Sequence, residues 1–243
     1  MESIELAKRY LNKLDIELAK FPISDSNPLM MIESSYFLVD RTIQELKENI
    51  KVLEFQGEEE EIEFFKIYMT EILSRSHFFS ELFQIESERS GMVNQSDDIF
   101  YSDKMEEVKK YFQRYAALNN YLIMGKSYLD RVYFLRGSEA PLIYPDLFRH
   151  TIDSSFCTVY TLHFARLKAM EKLMNYLSRK VRDIKVEVGK PSVPNQQTSL
   201  LWTGSKVDLV ELIYALKTTT AVNHGSMTVA ELAKAFGFFL EKS

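Results

Sequence analysis

Apolar residues recur along this chain at intervals of three and four over long stretches, the spacing of one face of an α-helix. From Ser3 to Lys20 the series is Ile4, Ala7, Leu11, Leu14, Leu18 and Phe21. Ser3 is placed to cap this first helix, and Phe21-Pro22 ends it, because the residue before a proline avoids the helical region. A second helix is predicted from about Leu29 to Phe55, on Ile32, Tyr36, Val39, Ile43, Leu46, Ile50 and Leu53. A third runs from about Glu58 to Arg89, with Ile62, Phe65, Met69, Ile72, Phe79 and Phe83 inward and Ser76 filling one position. Gly91 to Tyr101 reads as a loop. A fourth helix opens at Ser102, with Glu106 nearby, and reaches about Arg136, with Gly125 interrupting it at some cost. A fifth spans about Ser154 to Ile184, on Phe156, Tyr160, Phe164, Leu167, Met170, Met174, Leu177 and Val181. Long amphipathic helices with short links predict an antiparallel bundle over residues 1–187.

The pattern changes at 188–199, VGKPSVPNQQTS, which has one glycine, two prolines and no strong period. This is the expected linker. Beyond it, residues 200–243 read as a small module. Leu200 to Trp202 fits a short strand. Thr203 or Ser205 caps a helix to about Lys217, and Asn223-His224-Gly225 makes a turn. Thr228 caps a second short helix to about Phe236. Two short helices around a glycine-containing turn make a helix-turn-helix-like arrangement. The fold class expected is therefore mainly α, a helical bundle followed by a small helix-turn-helix domain.

Composition supports this picture. Glycine (8) and proline (6) are scarce for 243 residues, so connections are few. The single cysteine, Cys157, forbids an internal disulfide and a Cys-rich zinc site. The opening MESIELAKRYLNK is charged throughout, unlike a signal peptide. The longest uncharged apolar stretch, Ser154 to Ala165, is too short to span a bilayer. A cytosolic location is expected.

Charge divides unevenly. Residues 1–100 carry 10 basic and 21 acidic side chains, whereas residues 163–199 carry 8 basic and 3 acidic. The run Glu58-Glu59-Glu60-Glu61 suits the positive end of a helix dipole, with an interaction tail as the alternative. The cluster Arg166, Lys168, Lys172, Arg179, Lys180, Arg182 and Lys185 has two readings. It is either a solvated face with cations favourably placed near a helix C-terminus, or a phosphate-contacting surface.

Enzymatic signatures are missing. No two glycines lie closer than twelve residues, which excludes P-loops, dinucleotide fingerprints and the G-x-S-x-G elbow. His77, His150, His163 and His224 form no metal-binding pair on one helix, and none follows a Glu three residues on. His77 and His163 read as packed side chains, and Cys157 as a buried structural residue. No enzyme activity, cofactor or metal is expected.

Three segments carry a family resemblance. The first is Leu201-Trp202-Thr203-Gly204-Ser205-Lys206 with Leu209-Val210-Glu211-Leu212-Ile213-Tyr214-Ala215-Leu216. The second is Tyr128-Leu129-Asp130-Arg131 with Tyr133-Phe134-Leu135-Arg136. The third and looser one is Phe156 through Leu177. Together they resemble the RteC family, regulators carried on Bacteroides-type conjugative transposons and associated with mobilisation of tetracycline-resistance elements. The resemblance spans roughly residues 105–236. It implies a helical N-terminal domain, a winged-helix-like DNA-binding domain, and a transcriptional regulator of excision or transfer genes. Many family members continue past the equivalent of Ala230–Phe236 into a further Arg- and Lys-rich helix, whereas this sequence runs to Phe238–Ser243. Either that further helix is the family's DNA-reading element and this chain reads DNA differently, or the Thr228–Phe236 helix itself enters the groove.

The expected backbone contacts are Thr203, Ser205 and Lys206 at a helix N-terminus, with Arg179, Lys180 and Arg182. The expected groove contacts are Asn223, His224, Ser226, Thr228 and Lys234. The expected partners are double-stranded promoter DNA, a second copy of the chain and the transcription machinery; no membrane or small-molecule substrate is implied. The alternative is a helical protein–protein adaptor in the same regulatory system without DNA contact.

Overall fold

The computed structural model describes residues 2–23, 28–51, 54–92, 96–138, 153–189, 205–219 and 226–233. The protein is mainly helical, and no strand occurs among the described residues. The chain divides into two compact units, Met1–Lys185 and Val186–Ser243.

The first helices follow the apolar stripes. α1 (Glu2–Leu18) buries Ile4, Ala7 and Leu14. Ser3 does not cap it. It lies inside the first turn, buried, and its hydroxyl donates to Glu60. α2 (Pro28–Lys51) starts on a proline, whose missing N–H costs nothing in a first turn. It buries Ile32, Val39, Ile43, Leu46 and Ile50.

The third expected helix is one helical run with an interior irregularity. α3 (Glu58–Glu63) passes into a π-helical segment (Phe64–Met69) and then α4 (Thr70–Gly91). In this segment the adjacent Phe64 and Phe65 are both fully buried, along with Met69. The Thr70 N–H reaches back to the carbonyl of Phe65, and the Thr70 hydroxyl also donates to it at 2.8 Å. Farther on the expected stripe drifts by one residue. Leu82 is fully buried where Phe83 was expected, and Phe83 is exposed. A strict seven-residue repeat does not hold its phase along an α-helix.

The fourth expected helix is three. α5 (Asp97–Arg114) begins five residues before Ser102, behind Ser96, and buries Phe100 and Tyr101 in what was read as loop. A kink at Tyr115 separates it from α6 (Ala116–Ile123). α6 ends on Gly125, which adopts φ 59. Lys126 N–H donates to the Tyr121 carbonyl and Gly125 N–H to that of Leu122, the paired bonds of a left-handed glycine cap. α7 (Asp130–Phe134) follows.

α8 (Val159–Gly189) starts later and ends later than expected. Asp153 closes a turn over Ser154–Cys157. Thr158 is the cap, accepting from the Thr161 N–H at 3.0 Å. α8 buries Tyr160, Phe164, Leu167, Met170, Leu173 and Leu177.

Within the first unit α1 packs on α2, α3 and the π segment, α2 on α4, and α7 on α3 and the π segment. Phe64, Phe65, Phe134 and Phe164 are each at most 1% exposed in one continuous core. Burying each contributes about 1.5–3 kcal/mol. The acidic run is a docking edge and not a tail. Glu58 pairs with Arg131, Glu60 accepts from Ser3, and Glu61 takes the Arg136 Nε–H at 2.7 Å.

In the second unit α9 (Lys206–Thr218) turns Leu209, Ile213 and Leu216 away from solvent. A second helical stretch at 229–233 buries Leu232. The expected strand at Leu200–Trp202 and most of the expected linker lie outside the described residues.

Candidate nucleic-acid interface

The basic cluster of α8 separates into two halves with different surroundings. Its upstream half is tied to α4. Lys172 Nζ is 2.7 Å from Glu71 Oε1 and donates to Ser74 Oγ at 2.9 Å. Lys168 Nζ reaches Glu71 Oε2 at 3.1 Å. Arg75 binds Glu71 from one turn along α4 and continues to Asp15 of α1. Arg166 lies 3.2 Å from Glu81, with its guanidinium over the Tyr111 ring. Burial alone raises the pKa of the Glu71 carboxyl, but Lys172, Lys168 and Arg75 outweigh it and hold the group at about 2. These cations act as fasteners between α1, α4 and α8.

In the downstream half Arg179 and Arg182 face outward, and Lys180 is half-buried. At 100° per residue, Arg179 and Arg182 project from the side opposite Leu177, Val181 and Ile184, and both are exposed. Lys180 flanks them beside the Tyr176 ring. Arg182 has the equally exposed Asp183 at 3.9 Å. Because α8 continues to Gly189, its last turn contains no basic residue. Arg179, Lys180 and Arg182 therefore sit about two turns or more before the helix end, where the helix dipole has faded. Favourable dipole placement does not account for them.

In the second unit, both helix starts carry reciprocal capping boxes. Ser205 Oγ accepts from the Asp208 N–H at 3.2 Å, while Asp208 accepts from the Ser205 N–H at 3.0 Å. Thr228 Oγ1 accepts from the Glu231 N–H at 3.3 Å, while Glu231 accepts from the Thr228 N–H at 2.7 Å. Thr228 also donates its hydroxyl to Glu231. Such boxes satisfy donors that a helix start leaves open. Two of the four hydroxyls expected at DNA, those of Ser205 and Thr228, are thus engaged in capping. Ser226 is exposed in the turn between the helices, and Lys217 Nζ donates to the Met227 carbonyl at 2.7 Å, tying α9 to that turn. Lys206 is the first residue of α9. Thr203, Asn223, His224 and Lys234 lie outside the described residues.

The motif around Tyr128–Arg136 turns out to build a polar knot. Lys66, in the π segment, donates to both Asp130 oxygens at 2.9 and 2.7 Å and to the Lys126 carbonyl. Tyr121 donates its hydroxyl to Asp130 at 2.7 Å and accepts from the Leu129 N–H. Burial, then the Asp130 carboxylate, push the Tyr121 pKa up. Arg136 packs its guanidinium on Phe55 and Phe65, and Tyr133 stacks on Tyr160 at 4.0 Å. Apart from Arg75, four residues after Glu71, the partners of Lys66 and Glu71 lie 60 to 101 residues away, so little that is local in the sequence marks either as a hub.

Cys157 is buried, and desolvation with the nearby Asp153 pushes its thiol up to about 12. It is held as a thiol rather than a nucleophilic thiolate. His163 is buried between the rings of Tyr115 and Tyr160. Desolvation and then Arg166 hold His77 down at about 4. Among the described residues no group of His, Cys, Asp and Glu is arranged to hold a metal, and no helix is long and apolar enough to cross a membrane.

These features define a mainly helical protein of two units with an outward-facing basic segment on its longest helix. A family model described as RteC protein matches residues 63–242. The chain belongs to the RteC family, and membership fits a regulatory role in a conjugative-transposon system. No curated protein and no solved structure matches the chain.

Proposed function

We propose that this protein is a DNA-binding regulator of the excision and mobilisation genes of a conjugative transposon, and that it catalyses no reaction. The first unit, in this reading, is an antiparallel bundle and the second a helix-turn-helix of winged-helix type. Arg179, Lys180 and Arg182 neutralise phosphates, and the helix that starts at Thr228 enters the groove. One observation carries the proposal. Among the cations of α8, Arg166, Lys168 and Lys172 are paired with carboxylates of α4, while in the downstream half Arg179 and Arg182 are exposed, about two turns or more before the helix end. Phosphate contact explains why that second half is basic.

The two capped helices support the reading, since caps fix the angle at which short helices leave a turn. α9 is the poorer groove reader. Among its positions whose burial is described, the exposed ones include Val207, Asp208, Val210, Glu211, Leu212 and Tyr214 and no cation. In a helix-turn-helix the first helix lies across the backbone and the second reads the bases.

The same apolar and acidic face of α9 is what favours the adaptor reading, in which it meets another protein. Footprinting of the full chain on DNA upstream of neighbouring genes separates the two. Protection of a discrete site supports the regulator. No protection even at low salt, with a partner recovered from nuclease-treated lysate, supports the adaptor.

A further inference from the structure

On α2, Phe37 stands 60% exposed between two grooves. One groove, about 480 Å³, lies toward the end of α1 and is lined by Glu17, Lys20, Phe21, Ser34 and Arg41. The other, about 240 Å³, lies toward α4 and is lined by Glu33, Tyr36, Ser80, Phe83 and Gln84. Phe37 lines both. Met30, two turns before it, and Phe83 are also exposed. An exposed aromatic beside a groove with a small serine in its lining is a knob and a hole on one surface. A two-fold interface requires both on the same patch, because each copy presents the same residues to the other.

Charge points to the same occupant. Residues 1–100 carry 21 acidic and 10 basic side chains, so most of this half repels a second copy. The charged residues lining the two grooves are Glu17 and Glu33 against Lys20 and Arg41, two of each sign. Arg41 is 3.8 Å from Glu17, which leaves this patch locally neutral. A basic partner finds no net attraction here, whereas a second copy meets no net repulsion and presents two charges of each sign to two of each sign.

We infer that the α2 face around Phe37 is a two-fold dimer interface, with Phe37 of each copy seated in the groove beside Ser80 and Phe83 of the other. The inference is independent of DNA binding, because the dimer forms without DNA.

Sedimentation velocity of the full chain across micromolar concentrations tests it, with circular dichroism to verify the fold of each variant. The wild type is expected to pass from monomer to dimer. Phe37→Ala removes an anchor twice per dimer and weakens association about 100-fold, at tenfold per site. Ser80→Arg fills the groove and weakens it comparably. Mixing the two variants leaves one intact knob-and-groove contact per heterodimer. The mixture therefore associates about tenfold more tightly than either variant alone. Ile67→Arg, at an exposed apolar position elsewhere, leaves the dimer unchanged. A wild type that stays monomeric, a Phe37→Ala dimer as tight as wild type, or a mixture no tighter than its components overturns the proposal.

Discussion

Replacing Glu71 by Gln tests the claim that half of the α8 basic cluster is structural. The carboxylate is the shared acceptor of Lys172, Lys168 and Arg75, and its side chain is 25% exposed. Its pKa falls from an ordinary 4.5 to about 2, which corresponds to about 3 kcal/mol. Residual solvent screening reduces this to about 2 kcal/mol. A carboxylate with a depressed folded-state pKa contributes stability that is fully present above the unfolded value. That stability is lost as pH falls through the folded one. Urea unfolding of the full chain at pH 7 is thus expected to show Glu71→Gln less stable by about 2 kcal/mol. The gap should narrow from pH 4.5 toward pH 2 and close below it. A Lys172→Met change in a double-mutant cycle should couple to Glu71→Gln and lose most of its effect in that background. A gap at pH 7 below about 0.5 kcal/mol, the size expected of a surface pair, would refute the fastening role. So would a gap that does not depend on pH.

Further outcomes follow from other sites. His77, held at about 4 against an ordinary 6.5, is neutral in the fold, so stability is present above pH 6.5 and drains as pH falls toward 4. His77→Gln should flatten that part of the urea stability profile without touching the Glu71 window below it. The Cys157 thiol, buried and pushed up to about 12, should resist alkylation at pH 7 and react fully once urea unfolds the chain; fast native labelling would contradict its burial. Gly125→Ala should lower stability by about 1 kcal/mol through backbone strain at φ 59 alone, because an added Cβ meets no atom there. Equal melting of the two proteins would argue against the left-handed cap.

Periodicity exposed the helices that keep one face inward. Ile32, Val39, Ile43, Leu46 and Ile50 are all buried, as their spacing required. It failed where the backbone departs from a uniform turn. The stripe Ile62, Phe65 and Met69 passed over Phe64, which the π segment buries fully beside Phe65. Gly125 reads as a tolerated interruption until its φ shows that it ends a helix. Phe100 and Tyr101 were read as loop because Gly91 drew the boundary too far along the chain. Of the basic cluster, the sequence displayed seven cations in one run. It could not separate those facing Glu71 and Glu81 from those facing solvent, since that depends on packing between helices far apart in sequence. The capping boxes were legible in S-K-V-D and T-V-A-E, and they explain Ser205 and Thr228 without reference to DNA.

Fluorescence anisotropy on operator DNA across a salt series bears most directly on the regulator reading. The full chain is compared with its Arg179→Ala, Lys180→Ala, Arg182→Ala triple variant. Three lost phosphate contacts should make the slope of log affinity against log salt shallower by about 2 to 3, at about 0.9 per contact. The two proteins should unfold at closely similar urea concentrations. An unchanged slope with retained affinity would place the phosphate contacts elsewhere and contradict the role assigned to the outward-facing half of the basic cluster.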